Sequence, residues 1–70
     1  MKKATLFSVR NDRDETLRVF TKKMDARNWA KAFTACNEAD VFVYNLNGEI
    51  QCAYSDGKYY AKKHIAFADA

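Results

Sequence analysis

The only two glycines in the chain, Gly48 and Gly57, follow Asn47 and Asp56, and there is no proline. Asn-Gly and Asp-Gly both accept the positive φ angles of a type I′ turn, so each marks a tight reversal between two strands. Two reversals so close together define three short antiparallel strands, at 41–46 (VFVYNL), 49–54 and 58 to about 62. Upstream, 4–10 (ATLFSVR) is rich in strand formers. Asn11-Asp12-Arg13-Asp14 is a polar turn, and 15–21 (ETLRVFT) reads as the returning strand of a hairpin.

Between the two groups of strands lies one helix, at 22–37. Ala26, Trp29, Ala30, Phe33 and Cys36 recur at helical spacing and form an apolar stripe. Arg27, Asn28, Lys31 and Thr34 fall on the other side. Thr21 or Asp25 is expected to cap the start, Asn37 to stop the helix, and Trp29 to anchor the core. The expected fold is α+β: a single helix packed on an antiparallel sheet of about five strands, in the order β-β-α-β-β-β. It forms one domain over 1–70, with no internal repeat and no linker.

Turn geometry then decides which side chains share a face. Two-residue loops at Asn47-Gly48 and Asp56-Gly57 pair Leu46 with Glu49, Val43 with Cys52, Phe42 with Ala53, Val41 with Tyr54, Ser55 with Lys58, Tyr54 with Tyr59 and Ala53 with Tyr60. One face then carries Val41, Val43, Ile50, Cys52, Tyr54 and Tyr59. The other carries Phe42, Tyr44, Leu46, Glu49, Gln51, Ala53, Tyr60 and Lys62. A four-residue loop at 11–14 divides the first hairpin into Leu6, Leu17 and Val19 against Phe7, Val9, Arg18 and Phe20. The aliphatic sets, Val41, Val43, Ile50, Leu17 and Val19, are the natural partners of the helix. Phe7, Phe20, Phe42, Tyr44 and Tyr60 are left on a face without one, which is too apolar to stand in water alone. Three covers suit it: the tail, through Ile65 and Phe67; a second copy in a homodimer; or a partner. The expected partner-binding residues are Phe42, Tyr44 and Tyr60, flanked by Arg18 and Lys62.

Composition narrows the function classes. Seventy residues with 49% hydrophobic side chains suit one thin-cored domain, which has little room to enclose a substrate. Cys36 and Cys52 lack CxxC spacing and His64 is the only histidine, which excludes an ordinary four-ligand zinc site. The chain starts without a signal peptide, so the thiols are read as free and buried and the location as cytoplasmic. No phosphate-binding glycine loop, HExxH or GxSxG occurs, and Asp12, Asp14 and Glu15 sit together in a solvated turn. The expectation is a non-enzymatic binding protein with no cofactor, no metal and no membrane span. Its formal charge of +3, from 12 basic and 9 acidic residues, permits nucleic acid as a partner without demanding it.

Met1-Lys2 and Ala4 at the start, Val9 and Asn11 ending the first strand, one central helix, then Asn47-Gly48 and Asp56-Gly57-Lys58 form a pattern over nearly the whole length. In this the chain resembles a family of short phage-encoded anti-CRISPR proteins that act on type I-F systems. The Trp29–Phe33 helix core and the tail after Tyr60 depart from that pattern. The resemblance implies a non-enzymatic inhibitor that binds the backbone subunits of a surveillance complex and blocks its pairing with target DNA. It carries no individual binding residues with it. A small nucleic-acid-binding module, with Phe42, Tyr44 and Tyr60 stacking bases beside Arg18 and Lys62, is the alternative.

Overall fold

The computed structural model describes residues 6–64. Strands β1 (Phe7–Asn11) and β2 (Thr16–Phe20) precede helix α1 (Lys23–Cys36). Strands β3 (Asp40–Tyr44), β4 (Ile50–Ser55) and β5 (Lys58–Ala61) follow, and a 3-10 turn runs from Lys62 to His64. The strands form one antiparallel sheet in the order β2-β1-β3-β4-β5, with α1 on one face. This is the expected α+β architecture. The tail with Ile65 and Phe67, and the side chain of His64, lie outside the described residues.

Three turns set the registers. Asp56 and Gly57 both have positive φ, 57° and 75°, which makes the β4–β5 connection the expected two-residue turn. Ser55 pairs with Lys58, Tyr54 with Tyr59 and Ala53 with Tyr60, as the turn requires.

The other two turns depart from expectation and converge on one design: the two-residue loop expected at Asn47-Gly48 is longer by one residue, and the four-residue loop expected at 11–14 is shorter by one. Asn45 and Asn11 each donate their backbone N–H to a glutamate carbonyl four residues on, Glu49 at 2.9 Å and Glu15 at 3.0 Å. The third loop residue donates back to the asparagine carbonyl, Gly48 at 3.0 Å and Asp14 at 3.1 Å. Gly48 and Asp14 carry the positive φ angles, 81° and 63°. Each is therefore a three-residue loop with its last residue in the left-handed region. The asparagine side chain makes the loop possible. Asn11 Oδ1 accepts from the N–H groups of Arg13 and Glu15, and Asn45 Oδ1 accepts from those of Asn47 and Glu49. A side-chain amide oxygen that accepts from the N–H two residues on mimics a backbone turn. Leu46 and Glu49 consequently do not pair.

A β-bulge follows each loop and returns the side chains to the expected division between the two faces. The pairing shifts between Val9 and Arg10 in one hairpin and between Val43 and Tyr44 in the other. Beyond the second bulge, Val43 meets Cys52, Phe42 meets Ala53 and Val41 meets Tyr54, as expected from the shorter loop. The two hairpins are thus built to one design. SVRNDRDETLRVF and FVYNLNGEIQCAY share the valine, asparagine and glutamate at equivalent positions. They join through β1 and β3, where Val9 pairs with its own counterpart Val43.

That junction decides which face of the first hairpin meets the helix. Because Val9 stands opposite Val43, it is fully buried, and Phe7 and Phe20, which pair with each other, pack against the same core. Leu17 and Val19, expected inside, are exposed. The two-way division of the first hairpin was sound; its orientation toward the helix was inverted. No turn joins the two hairpins directly, so turn geometry left that relation free. Ile50 also moves, because it pairs with Tyr44 and shares the face of that residue.

The core consists of Val9, Val41, Val43, Cys52 and Tyr54 from the sheet and Ala26 and Ala30 from α1. Each buried valine contributes about 1.5–3 kcal/mol relative to exposure. The inward stripe of α1 continues to Thr34, which was expected outside and is buried, whereas Cys36 is exposed. Thr34 satisfies its hydroxyl by donating to the Ala30 carbonyl at 2.9 Å and accepting from Gly57 N–H at 3.1 Å. It thereby ties the β4–β5 turn to the helix. Gly57 suits this contact, since a Cβ there would sit 3.2 Å from that of Ala35. Trp29 is half-buried rather than central. It stacks on Phe33 at 4.8 Å and lies 6.2 Å from Phe20. The helix starts at an N-cap of Lys22, whose side chain makes no cap hydrogen bond. It ends at Asn37 as expected, where the backbone N–H and the Nδ2 amide both donate to the Phe33 carbonyl, at 2.9 and 3.0 Å.

Candidate functional site

Helix α1 covers one face of the sheet, and the expected binding residues divide between the two. Phe42, Ala53 and Tyr60 form one cross-strand row on the face away from α1, and Arg10 joins that row by pairing with Phe42. A second row on this face runs Val19, Ser8, Tyr44, Ile50. Phe42 and Tyr44 are half-buried, Tyr60 is 39% exposed and Val19 is 53% exposed. The structure thus brings Phe42, Tyr44 and Tyr60 together. Lys62 is exposed in the turn that follows β5.

Arg18 does not join them. It pairs with Val9, so it projects to the helix side, where its guanidinium lies 5.9 Å over the Trp29 ring. Phe7, Val9 and Phe20 leave the open face for the same reason.

The cation on the open face is Arg10. Its guanidinium lies 4.6 Å over the ring of Tyr44, and Nη1 donates to Asp14 Oδ1 at 3.1 Å. Its Nε is buried without an acceptor among the described residues. An unpaired buried N–H costs about 1–3 kcal/mol, which the ring contact offsets in part. Sequence reasoning missed Arg10 because it alternates with Val9, and the orientation of the first hairpin had been inverted. The signal that could have found it is the repeated Asn-x-x-x-Glu loop, which places Arg10 and Tyr44 at equivalent positions.

Small side chains, Ser8 and Ala53, lie between the large ones on this face. At the far end Ser55 donates to Asp40 Oδ1 at 2.7 Å. Among the described residues the surface is therefore an aromatic and aliphatic strip with Arg10 inside it and a polar pair at its rim. Among the described residues no group of three His, Cys, Asp or Glu could hold a metal ion, and no helix is long and apolar enough to cross a membrane. Of the two thiols, Cys36 is free and exposed rather than buried, and Cys52 is free and buried, its pKa pushed up by desolvation.

No family model, curated protein or solved structure matches the chain.

Proposed function

We propose that the chain is a non-enzymatic protein-binding inhibitor or adaptor that docks through the open face of its sheet. The observation that carries this reading is the juxtaposition of Arg10, Tyr44 and Tyr60 on a face that α1 leaves uncovered. Tyrosine and arginine are the residue types enriched at the centres of protein interfaces, where each buries a large area at modest entropic cost. The stacked Arg10 is already ordered, so little of its side-chain freedom remains to be lost on docking. In its most specific form the proposal is an anti-CRISPR protein that occupies a type I-F surveillance complex and prevents its pairing with target DNA.

The test uses purified surveillance complex and the full chain. Retention of the complex by the immobilised chain, lost in Tyr44→Ser, Tyr60→Ser, together with blocked target-DNA binding, is the expected result. Undisturbed DNA binding at micromolar chain removes the anti-CRISPR form. Retention that survives the double variant removes the open face.

A second reading, nucleic-acid binding, draws on the same Tyr44 and Tyr60 with Arg10 and Lys62 as phosphate contacts. Salt distinguishes it: affinity for a single-stranded oligonucleotide should fall steeply between about 50 and 200 mM salt. A flat response removes this reading.

A further inference from the structure

On the opposite side of the sheet, α1 and the β4–β5 turn enclose a groove of about 240 Å³ lined by Met24, Arg27, Asn28, Lys31, Tyr54, Gly57 and Tyr59. We propose that this groove is a phosphate-binding site in which Arg27 clamps the anion, with Lys31 and Asn28 as further donors.

The argument starts from how Arg27 is held. Its Nε donates to the Tyr54 hydroxyl at 3.1 Å, and its guanidinium lies 4.7 Å over the Tyr59 ring. Tyr54 is 3% exposed and belongs to the core, and it meets the edge of Tyr59 at 5.6 Å. The orientation of the guanidinium is thus fixed from below by a buried residue and from the side by a ring. Only Nε is used. The two terminal amino groups have no acceptor among the described residues, and they form the planar fork that matches two phosphate oxygens at once.

The charge around that fork is one-sided. The groove is lined by two cations, Arg27 and Lys31, and by no carboxylate. Lys31 lies one helical turn after Arg27, and Lys23 lies one turn before it on the same stripe. Arg10 shows the contrast: it also stacks on a tyrosine, but Asp14 answers its charge. An arginine that serves packing alone needs neither a fixed fork nor a second cation, Lys31, that has no carboxylate partner among the described residues. A phosphate group complements this set better than a carboxylate, since its tetrahedral oxygens let it accept from the fork and from Lys31 together, and a second charge, where the phosphate carries one, interacts with both cations. Tyr59, 49% exposed at the rim, offers an aromatic surface to whatever bears the phosphate.

The site lies across the sheet from the protein-docking face and stands or falls independently of it. Its test is a nuclear magnetic resonance titration of the full chain with inorganic phosphate, with sodium acetate and sodium chloride at matched ionic strength as controls. Phosphate should shift the Arg27 side-chain Nε–H and the Asn28, Lys31 and Gly57 amides at millimolar concentration, and acetate should act more weakly. Arg27→Met should weaken the response by about tenfold or more, the loss of roughly one charge-assisted bidentate contact. Arg27→Lys should also weaken it, because an ammonium keeps the charge and loses the fork. Melting temperatures establish that the variants fold. Should Arg27→Met fail to fold, Arg27→Lys and Tyr59→Leu provide the same comparison. A short oligothymidylate identifies the source of the phosphate. Tighter binding through the same resonances assigns it to a nucleic-acid backbone, and no gain over inorganic phosphate assigns it to a free or monoester phosphate. Equal shifts with phosphate and chloride, or an unchanged response in Arg27→Lys, would overturn the site.

Discussion

The guanidinium of Arg10 lies 4.6 Å over the ring of Tyr44, and the two residues occupy equivalent positions in the two hairpins. Their contact forms the centre of the open face without contributing to the core. Arg10→Met removes the unpaired buried Nε and keeps the packing of the stem, so stability should change by no more than about 1 kcal/mol. Tyr44→Ser, Tyr60→Ser should likewise keep the fold. Thermal melts measure both, beside the partner-binding assay. A collapse of either variant as an isolated chain would make this face structural.

The two asparagine loops should behave alike. Asn11→Ala and Asn45→Ala each remove an oxygen that accepts two backbone N–H groups at 2.9–3.0 Å. Each should cost about 1–2 kcal/mol, reduced by solvent access to the loop. The loops lie in separate hairpins, so the double variant should show the sum of the two losses. Urea denaturation checks this, and a strong departure from additivity would show that the hairpins communicate.

Thr34 joins the helix to the β4–β5 turn through its hydroxyl. Thr34→Val keeps the shape and leaves the Gly57 N–H without its acceptor, for a loss of about 1–3 kcal/mol, whereas Thr34→Ser should recover most of it. Gly57→Ala attacks the same junction from the other side, with a positive φ and a Cβ contact of 3.2 Å. It should destabilise more than Gly48→Ala, which has a similar φ and open space around it. Equal melting temperatures for the two glycine variants would contradict the junction.

The thiols should differ sharply. Cys36 is exposed and should react with a maleimide in the native protein, while buried Cys52 should react only after unfolding. Desolvation raises the Cys52 pKa above its ordinary 9.0, so the folded state favours the protonated thiol. That preference leaves stability untouched below the ordinary pKa and removes it as the pH rises through and beyond that value. Between parent and Cys52→Ala, the gap in melting temperature should therefore narrow above about pH 9. A constant gap would place the thiol in water.

Trp29→Ala should cost less than the 3–5 kcal/mol typical of a fully buried large aromatic, at about 2–3 kcal/mol, because Trp29 lies at the flank of the core on Phe20 and Phe33. Denaturant midpoints measure it. A loss at or above the upper limit would move Trp29 into the centre.

Local rules carried the sequence reading as far as each hairpin and no further. Asp56-Gly57 yielded its turn and all three pairings. Asn47-Gly48 yielded the right distal pairings through a different loop, since the added loop residue and the bulge cancel in register. The side of the first hairpin that meets the helix depends on Val9 meeting Val43, a contact between strands that no turn connects. Arg18 and Arg10 exchanged roles through that single missing relation. Thr34 was misplaced because its hydroxyl counts as polar until the Ala30 carbonyl and the Gly57 N–H are seen to satisfy it. Arg27 gave no sign in the sequence, because only the fold brings Tyr54 and Tyr59 beneath it.

The self-pairing of Val9 and Val43 has a consequence for the chain in pieces. Ser8 opposite Tyr44 and Arg10 opposite Phe42 are equivalent backbone positions seen from the two ends, with different side chains, so the backbone border between β1 and β3 is related to itself by an approximate half-turn. An edge of this kind is self-complementary in its backbone register. Cut after α1, the first hairpin would expose β1 with the register it needs to meet another β1, Val9 against Val9, and two such fragments could close into a symmetric four-stranded sheet. In the intact chain β3 occupies that edge first, and the covalent link holds it there at an effective concentration that a second molecule in dilute solution does not match.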